Sequence, residues 1–416
     1  MVPARVMEDS FSSSASRPRW IQQGTPAYRR MNIAFFCAGY ATFSLLYCVQ
    51  PLLPLFAKDF AVSPAASSLS LSLSTGLLAP AILCAAAISE GAGRRGLMFV
   101  SMAIAGCLNM AAAFAPSWPL MLVIRALEGA ALGGTPAIAM TYLAEEIDPR
   151  GLGLAMGLYV GGTAFGGMIG RVVTSVLVEI TSWRLALAAV GATGLAAAVG
   201  FILLIPPSRN FHRRTGFDLR YHTAAWSRHL ADPALRLIFA IGFLEMGAFT
   251  CVYNYAGFRL TLPPFNLDQM QLGLIFTVYI FGMAASWKAG ALADQIGQRL
   301  VLPAGVVITA TGVGLTVVPG LAAMLLGIIL LTIGFFATHA VASGWVGRLA
   351  VGAKGHASSL YLLAYYIGSS VIGSTGGWFL AEGGWAAVVW FNLAILALTL
   401  LAALHLRGLT RGETRQ

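Results

Sequence analysis

Six ionisable side chains stand inside otherwise apolar stretches of this sequence: Arg125, Glu128, Arg171, Glu245, Lys288 and His339. In hydrocarbon, a charged side chain costs at least about 2.5–3.5 kcal/mol on insertion scales, so each needs a partner or a task. Arg125 and Glu128 are three apart, close enough to touch on one helix face. At 1.5 Å per residue, counting in from Pro119 puts Arg125 roughly 9 Å and Glu128 roughly 13 Å deep. Counting back from Val178 puts Arg171 about 10 Å from the same face. The stretches that carry them are joined by a short loop and should pack antiparallel. The expectation is a cluster with Glu128 between the guanidinium groups of Arg125 and Arg171. Such a cluster suits proton coupling, and equally a charge group that only neutralises itself.

Glu245 is a second candidate, roughly 13 Å inside its stretch counting from Arg236. No basic residue matches its depth, since Lys288 falls near the end of its own stretch. An unpaired carboxylate in the bilayer can load and unload a proton within a working pH range, which a proton carrier needs. Neighbouring hydroxyls or a cationic substrate would occupy it as well. Tyr40, Tyr47, Gln50, Tyr253, Asn254, Tyr365 and Tyr366 are candidates to line a midplane cavity. Aromatic and amide groups on apolar helices suit an amphipathic solute, although helix packing explains each of them too. His339 reads either as a cavity residue or as a satisfied structural histidine.

The elements that must position these groups follow from composition. Of 416 residues, 58% are hydrophobic and 10% charged, where a soluble protein carries about a quarter charged. Apolar runs of about twenty residues, long enough to cross the hydrocarbon as helices, recur at 31–52, 66–88, 97–115, 119–143, 153–178 and 185–205. They recur again at 236–258, 271–292, 300–318, 321–345, 357–380 and 385–406. Runs this long satisfy their backbones in lipid as helices. Even the alternating stretch Leu69–Ser74 is assigned to helix, because serine can bond back to its own helix. The fold class is all-α: a polytopic membrane protein of twelve spans in two six-helix bundles. The expected units are a disordered tail 1–30, bundles 31–205 and 234–406, a linker 206–233 and a tail 407–416. Residues 1–30 have no apolar core or cleavage site, so no cleaved signal peptide is expected. The linker holds Pro206, Pro207, arginines and His212, His222 and His229, read as solvated residues beside a short helix lying on lipid.

The net charge of +10 is distributed in a way that argues against nucleic acid. Arg17, Arg19, Arg29, Arg30, Arg94, Arg95, Arg150, Arg209, Arg213, Arg214, Arg220, Arg228, Arg299, Arg348, Lys354, Arg407, Arg411 and Arg415 all fall on one side of the twelve-span layout. The opposite loops offer Lys58, Arg184 and Arg259. By the positive-inside rule both termini are cytoplasmic and the protein sits in the inner (plasma) membrane. Five dispersed cysteines within the spans (Cys37, Cys48, Cys84, Cys107, Cys251) suggest packing residues, not a disulfide framework. No metal site or cofactor is expected.

The halves repeat. Glu90-Gly91-Ala92-Gly93-Arg94-Arg95 follows the second span, and Asp294-Gln295-Ile296-Gly297-Gln298-Arg299 follows the eighth. The acid-x-x-Gly-x-Arg pattern recurs at an offset of 204 residues, and Gly162, Gly167 and Gly170 recur as Gly368, Gly373 and Gly376 at an offset of 206. Gly162, Gly166 and Gly170, like Ser369, Gly373 and Gly377, come every four residues and offer smooth faces for close helix approach. Such faces would serve rocking of one half against the other.

The loop GALADQIGQR (290–299) resembles the signature loop between helices 2 and 3 of the major facilitator superfamily. YCVQPLLP (47–54), EGAGRR (90–95), MTYLAEEI (140–147), GLYVGGTAFGGMIGR (157–171) and KGHASSLYLLAYYIGSS (354–370) are similar to the YnfM-like inner-membrane transporters of that superfamily. The likeness covers nearly the whole chain beyond residue 20 and implies an alternating-access carrier of the drug:proton antiporter branch. It also implies proton coupling for the helix-4 arginine, which Arg125 matches. In the family geometry Glu90 would face the start of helix 11 near Arg348, and Asp294 the start of helix 5 near Arg150, each closing the cytoplasmic gate. Gly93, Arg94, Gly297 and Arg299 complete those loops. The chain departs from the pattern with Glu90 for the usual Asp, Ala86 for the usual Gly, and no Gly-Pro pair in the fifth helix.

The expected function is proton-coupled efflux of a small amphipathic solute by a monomer, with protons and the bilayer as the other partners. Uptake by symport or facilitation fits the same motifs. An enzyme does not: the chain has no Gly-x-x-x-x-Gly-Lys-Ser/Thr loop, His-Glu-x-x-His or Gly-x-Ser-x-Gly elbow.

Overall fold

Many helix starts are written as a capping side chain followed by proline. Thr25-Pro26, Ser63-Pro64, Asp148-Pro149 and Asp232-Pro233 each place a side-chain oxygen on a first-turn N–H and a proline at the first helical position, where its missing N–H removes an orphan donor. The structure, a computed structural model, describes residues 20–210 and 219–410. The side chains of Ala86, Ala87, Glu90, Ala92, Ala137 and Leu219 are outside that description.

The helices are α1 (Pro26–Tyr47), α2 (Leu53–Asp59), α3 (Pro64–Ala92), α4 (Arg94–Ala112), α5 (Trp118–Leu132), α6 (Pro136–Glu146), α7 (Pro149–Ile180) and α8 (Trp183–Leu204). They continue with α9 (Leu219–Ala231), α10 (Pro233–Leu260), α11 (Gln269–Ile275), α12 (Tyr279–Ile296), α13 (Gln298–Leu315), α14 (Leu321–Leu349) and α15 (Lys354–Leu409). Among the described residues, 10 are single stretches long and apolar enough to cross a membrane. The fourth crossing is made by α5 and α6 together, broken where Gly133, Gly134 and Pro136 interrupt the expected continuous helix.

The 56-residue α15 supplies the last two crossings. Gly384 within it has φ 63° and ψ −160°, outside the helical region. Gly376 lies against Cys251, and Asn392 Nδ2 donates to Cys251 Sγ at 3.2 Å. Residues on either side of Gly384 therefore meet the same point of α10, so the chain reverses there. Twelve crossings result, in two bundles, α1–α8 and α10–α15.

Three boundaries differ from the sequence reading. α1 starts at Pro26, and the residues before it are held down: Ile21 N–H donates to Glu146 O at 2.7 Å and Asp148 N–H to Ile21 O at 3.2 Å. The expected disorder of 1–19 lies outside the described residues. α1 also breaks after Tyr47 into a 3₁₀ turn, Gln50–Leu52, because Pro51 and Pro54 deny helical donors. In the linker, α9 is docked and not free: His222 Nδ1 lies 2.8 Å from His356 Nε2, and buried His229 meets Ala353 O at 3.2 Å. His212 is outside the described residues. The five cysteines are free thiols; Cys48 and Cys251 are buried, while Cys84 and Cys107 are exposed on the bundle surface.

Close packing within each bundle is written in glycine. Cβ atoms on Gly162, Gly166 and Gly170 of α7 would stand 2.5–2.7 Å from α1 backbone at Phe36, Tyr40 and Ser44. Gly368 of α15 meets the α10 backbone at Phe243 in the same way, while Gly376 makes room for the side chains of Cys251 and Tyr255. These faces lock the first helix of each bundle to its fifth, so they are not sliding surfaces between the bundles. Of the second set, Ser369 and Gly373 face Thr250 within the bundle, and Gly377 alone reaches across to Ala65 of α3.

The buried cores report how the bundles meet. On the face away from the termini, one continuous cluster runs from Leu45–Phe56 through Met246–Leu260 to Phe276 and Ile372, crossing both bundles. On the face of the termini there are two clusters, one around Phe35, Tyr142 and Phe201, the other around Ile238, Trp345 and Leu360. The bundles are joined on one side of the midplane and separate on the other.

Candidate functional site

In the N-terminal bundle, Arg125 Nη1 lies 2.5 Å from Glu128 Oε2, with both side chains 0% exposed. Backbone carbonyls accept from each nitrogen of Arg125 as well: Ser70 O from Nε at 3.0 Å, Leu45 O from Nη1 at 3.2 Å, Leu46 O from Nη2 at 2.8 Å. Leu45 and Leu46 belong to the last turn of α1, whose carbonyls have no helical donor once the chain leaves the helix. A guanidinium there satisfies them and complements the helix dipole. Asn109 of α4 accepts from Arg125 Nη1 at 3.3 Å and donates to Leu187 O of α8 at 2.8 Å. Ser74 of α3 donates to Arg125 O at 2.7 Å. One ion pair therefore ties α1, α3, α4 and α8 to α5.

Arg171 is not in this cluster, contrary to the sequence expectation. α5 and α7 do not pack side by side; the glycine face of α7 takes it to α1 instead, which swings Arg171 to the plane between the bundles. There Arg171 Nε donates to Gln50 Oε1 at 2.6 Å, and Nη1 to Gly167 O at 2.6 Å. Its guanidinium carbon sits 4.2 Å from the Tyr47 ring centroid, 4.9 Å from Tyr279 and 5.1 Å from Phe276. Gln50 Nε2 then donates to Asn254 Oδ1 at 2.7 Å, and Asn254 Nδ2 to Gly373 O at 3.1 Å. Gln50 and Asn254 are related by the 204-residue repeat and meet across the junction.

Further contacts close the face away from the termini. Tyr255 Oη donates to Ser68 Oγ at 3.0 Å, and Ser370 Oγ to Ser72 O at 2.6 Å. Gln269 N–H donates to Glu179 Oε2 at 3.1 Å, and its Nε2 to Pro51 O at 2.7 Å. The serine-alternating stretch of α3 is thus a helix whose hydroxyls and carbonyls face both its own bundle and the other.

In the C-terminal bundle, Glu245 is buried and accepts from Thr309 Oγ1 at 2.7 Å, while its Oε2 has no partner. It lines a crevice of about 160 Å³ with Phe335, Thr338, His339, Tyr361 and Tyr365, too narrow in this state for a water. His339 Nδ1 lies 3.0 Å from Tyr361 Oη, and its ring is 4.7 Å from that of Tyr365. Tyr365 continues to Tyr366 at 5.1 Å. Tyr253 donates to or accepts from Thr332 at 2.7 Å and stacks on Phe276 at 5.5 Å. Of the expected cavity residues, Tyr47, Gln50, Tyr253, Asn254, His339, Tyr365 and Tyr366 gather near the junction. Tyr40 does not, because its hydroxyl is turned to Thr193 of α8 at 3.1 Å. Lys288 is exposed on α12.

The repeated loops share a conformation: Gly93 and Gly297 both have φ +93°, which glycine alone adopts freely. Their ion pairs stay within each bundle. Asp294 Oδ1 is 2.6 Å from Arg348 Nη2, and Arg94 Nη2 is 2.5 Å from Glu145 Oε1. The expected contact of Asp294 with Arg150 is absent because the bundles are apart on this face; Arg150 instead gives its N–H to the cap Asp148 at 2.9 Å. That bond, with one from Gln22, holds the Asp148 carboxyl below its ordinary range. Arg299 donates to Thr410 O. The Glu90 side chain, expected near Arg348, lies outside the described residues.

Sequence reading missed Asn109, Thr309, Phe276 and Tyr279. Asn109 carried a signal, as a lone amide in an apolar span; Thr309 and the two rings carried none until the packing was known.

The family model of the Major Facilitator Superfamily matches residues 31–285 and again 246–416. The chain is 43% identical to the uncharacterized MFS-type transporter YybF of Bacillus subtilis, over 94% of this chain and 95% of that one. It is 40% identical to the inner membrane transport protein YnfM of Escherichia coli, over 96% and 95%. In structure it resembles the nucleoside transporter NupG, with a TM-score of 0.73 at 13% identity, covering 90% of this chain and 99% of that one.

Proposed function

Because this chain belongs to the major facilitator superfamily of multi-pass membrane transporters and is no enzyme, we propose that it exports a small amphipathic solute by alternating access, coupled to protons through Glu245. The observation that carries the reading is that Glu245, buried and without a counter-charge among the described residues, lines an aromatic crevice in a structure whose bundles are closed on one side only. A carboxylate without a counter-charge at such a crevice changes its charge with the wetting of that crevice. Rocking the bundles would alternate the wetting. The basic loops put the open side in the cytoplasm by the positive-inside rule, and both termini with it. Arg125–Glu128 is assigned a structural role, since every nitrogen of the guanidinium is already bonded within its own bundle. The separation of Asp294 from Arg150 supports a gating role for the repeated loops, made in the alternative state in which this face closes.

The test is transport in proteoliposomes under an imposed pH gradient. Solutes that move should drive lumenal pH changes of a sign that reports exchange against protons. Glu245→Gln keeps the Thr309 bond and should abolish gradient-driven accumulation while solute exchange without a gradient persists. A variant that still concentrates solute against a gradient rejects the proton role. Proton movement in the same direction as the solute rejects export by antiport.

A further inference from the structure

The two buried arginines of the N-terminal bundle are held in different ways. Arg125 has its carboxylate at 2.5 Å. Arg171 is 2% exposed, and among the described residues no carboxylate reaches it; the ion pairs there are Arg94–Glu145, Arg125–Glu128 and Arg348–Asp294. Its partners are neutral: the amide oxygen of Gln50, a carbonyl of its own helix, and three aromatic faces. Ring faces attract a cation but do not neutralise it. A buried charge in a membrane span without a counter-charge marks a place where one arrives.

The surroundings are built for arrival. A Cβ on Gly167 would stand 3.3 Å from Arg171 Nη1, so the missing side chain leaves the guanidinium room. Tyr47 and Gln50 belong to one bundle, Phe276 and Tyr279 to the other, so the cage comes apart when the bundles rock. Gln50 and Phe276, two of the groups that hold Arg171, also bound a narrow space at the junction with Tyr253 and Leu272, about 20 Å³ in this state and so room for about one water. Glu245 is engaged elsewhere, on Thr309.

We propose that Arg171 anchors the anionic headgroup of the transported solute, which makes the substrate class an aromatic monoanion such as an aryl carboxylate. This rests on the proposed function and names its substrate class. The planar guanidinium offers a carboxylate two parallel donors, and the rings that now cover it receive the aryl body. Arg171 and Glu245 divide the work: the anion is taken at one and the proton at the other.

The experiment is calorimetric titration of the purified full-length protein in lipid nanodiscs with three matched probes: 2-naphthoate, neutral 2-naphthamide and 2-naphthylmethylammonium. Naphthoate should bind at least about tenfold more tightly than the amide, as a hydrogen-bonded charge does over a neutral isostere, and the ammonium most weakly. Arg171→Gln should erase the preference for naphthoate and leave amide affinity within about threefold, whereas Arg171→Lys keeps part of it. Amide or ammonium binding equal to naphthoate overturns the proposal. So does equal weakening of all three probes by Arg171→Gln, which would make Arg171 a latch between the bundles, and so does no binding of any probe. Should Arg171→Gln not fold, the wild-type ranking and Arg171→Lys still decide. No pH gradient is present, so a failure of proton coupling leaves this result intact, and the reverse.

Discussion

The two bundles share a plan but not their buried chemistry. Each locks its first helix to its fifth through glycines, and each places a φ +93° glycine in its repeated loop. In the N-terminal bundle the acid inside the membrane has a full counter-charge, and its arginine is bonded to carbonyls of α1 and α3. In the C-terminal bundle the acid has one hydroxyl and an aromatic crevice. Duplication conserves what builds the helices' contacts, while single residues decide whether a buried charge is structural or available. Each acid keeps one oxygen without a partner, so the counter-charge makes the difference: the ion pair rigidifies Glu128, while Glu245 without one is free to change state.

The largest effect that would break this contrast is expected at Arg125. Arg125→Ala leaves Glu128 buried without its partner and should cost about 3–5 kcal/mol, read as thermal unfolding of the purified protein. Arg125→Met with Glu128→Leu should restore most of that loss, because a buried pair replaced by apolar groups is often close to neutral. If the double variant is as unstable as the single one, the ion pair is not what holds the N-terminal bundle.

Next in size are the glycine faces. Gly166→Val in α7 and Gly368→Val in α15 push branched side chains into the backbones of α1 and α10, and each should cost about 1–3 kcal/mol by overpacking. Similar losses in the two bundles would confirm that the duplicated plan is mechanical. A tolerated Gly368→Val would show that the C-terminal bundle is the looser of the two.

The smallest effects belong to the loops. Asp294 and Arg348 are exposed, their side chains 65% and 60% accessible, whereas Arg94 in the N-terminal pair is 11% accessible. Asp294→Asn should cost less than about 1 kcal/mol, and the difference should fade at high ionic strength. Glu145→Gln should cost more and respond less to salt. Unfolding curves at low and high salt compare them directly.

Much of the fold was legible because the bilayer leaves so few choices. Twenty-residue apolar runs and the duplicated loop located twelve crossings, whereas the break of the first span after Tyr47 was not read, although Pro51 and Pro54 of YCVQPLLP cause it. The pairing of Arg125 with Glu128 was legible too, since three residues on one helix determine it. The place of Arg171 was not. Depth counting gave it a level in the membrane but no direction, and loop length suggested the wrong neighbour. The docking of α9 by His222 and His229 was hidden for a similar reason, since a polar segment reads as solvated until a surface is seen to receive it.

The sequence by itself determined the number of crossings, the two-fold repeat and the residues that carry charge through the apolar stretches, because those follow from hydrophobic length and from the cost of ions in lipid. Only the tertiary structure decided which of those charges are neutralised. That depends on which helix face meets which, and the deciding contacts, Gly166 on Tyr40 and Gln50 on Asn254, join residues more than a hundred positions apart.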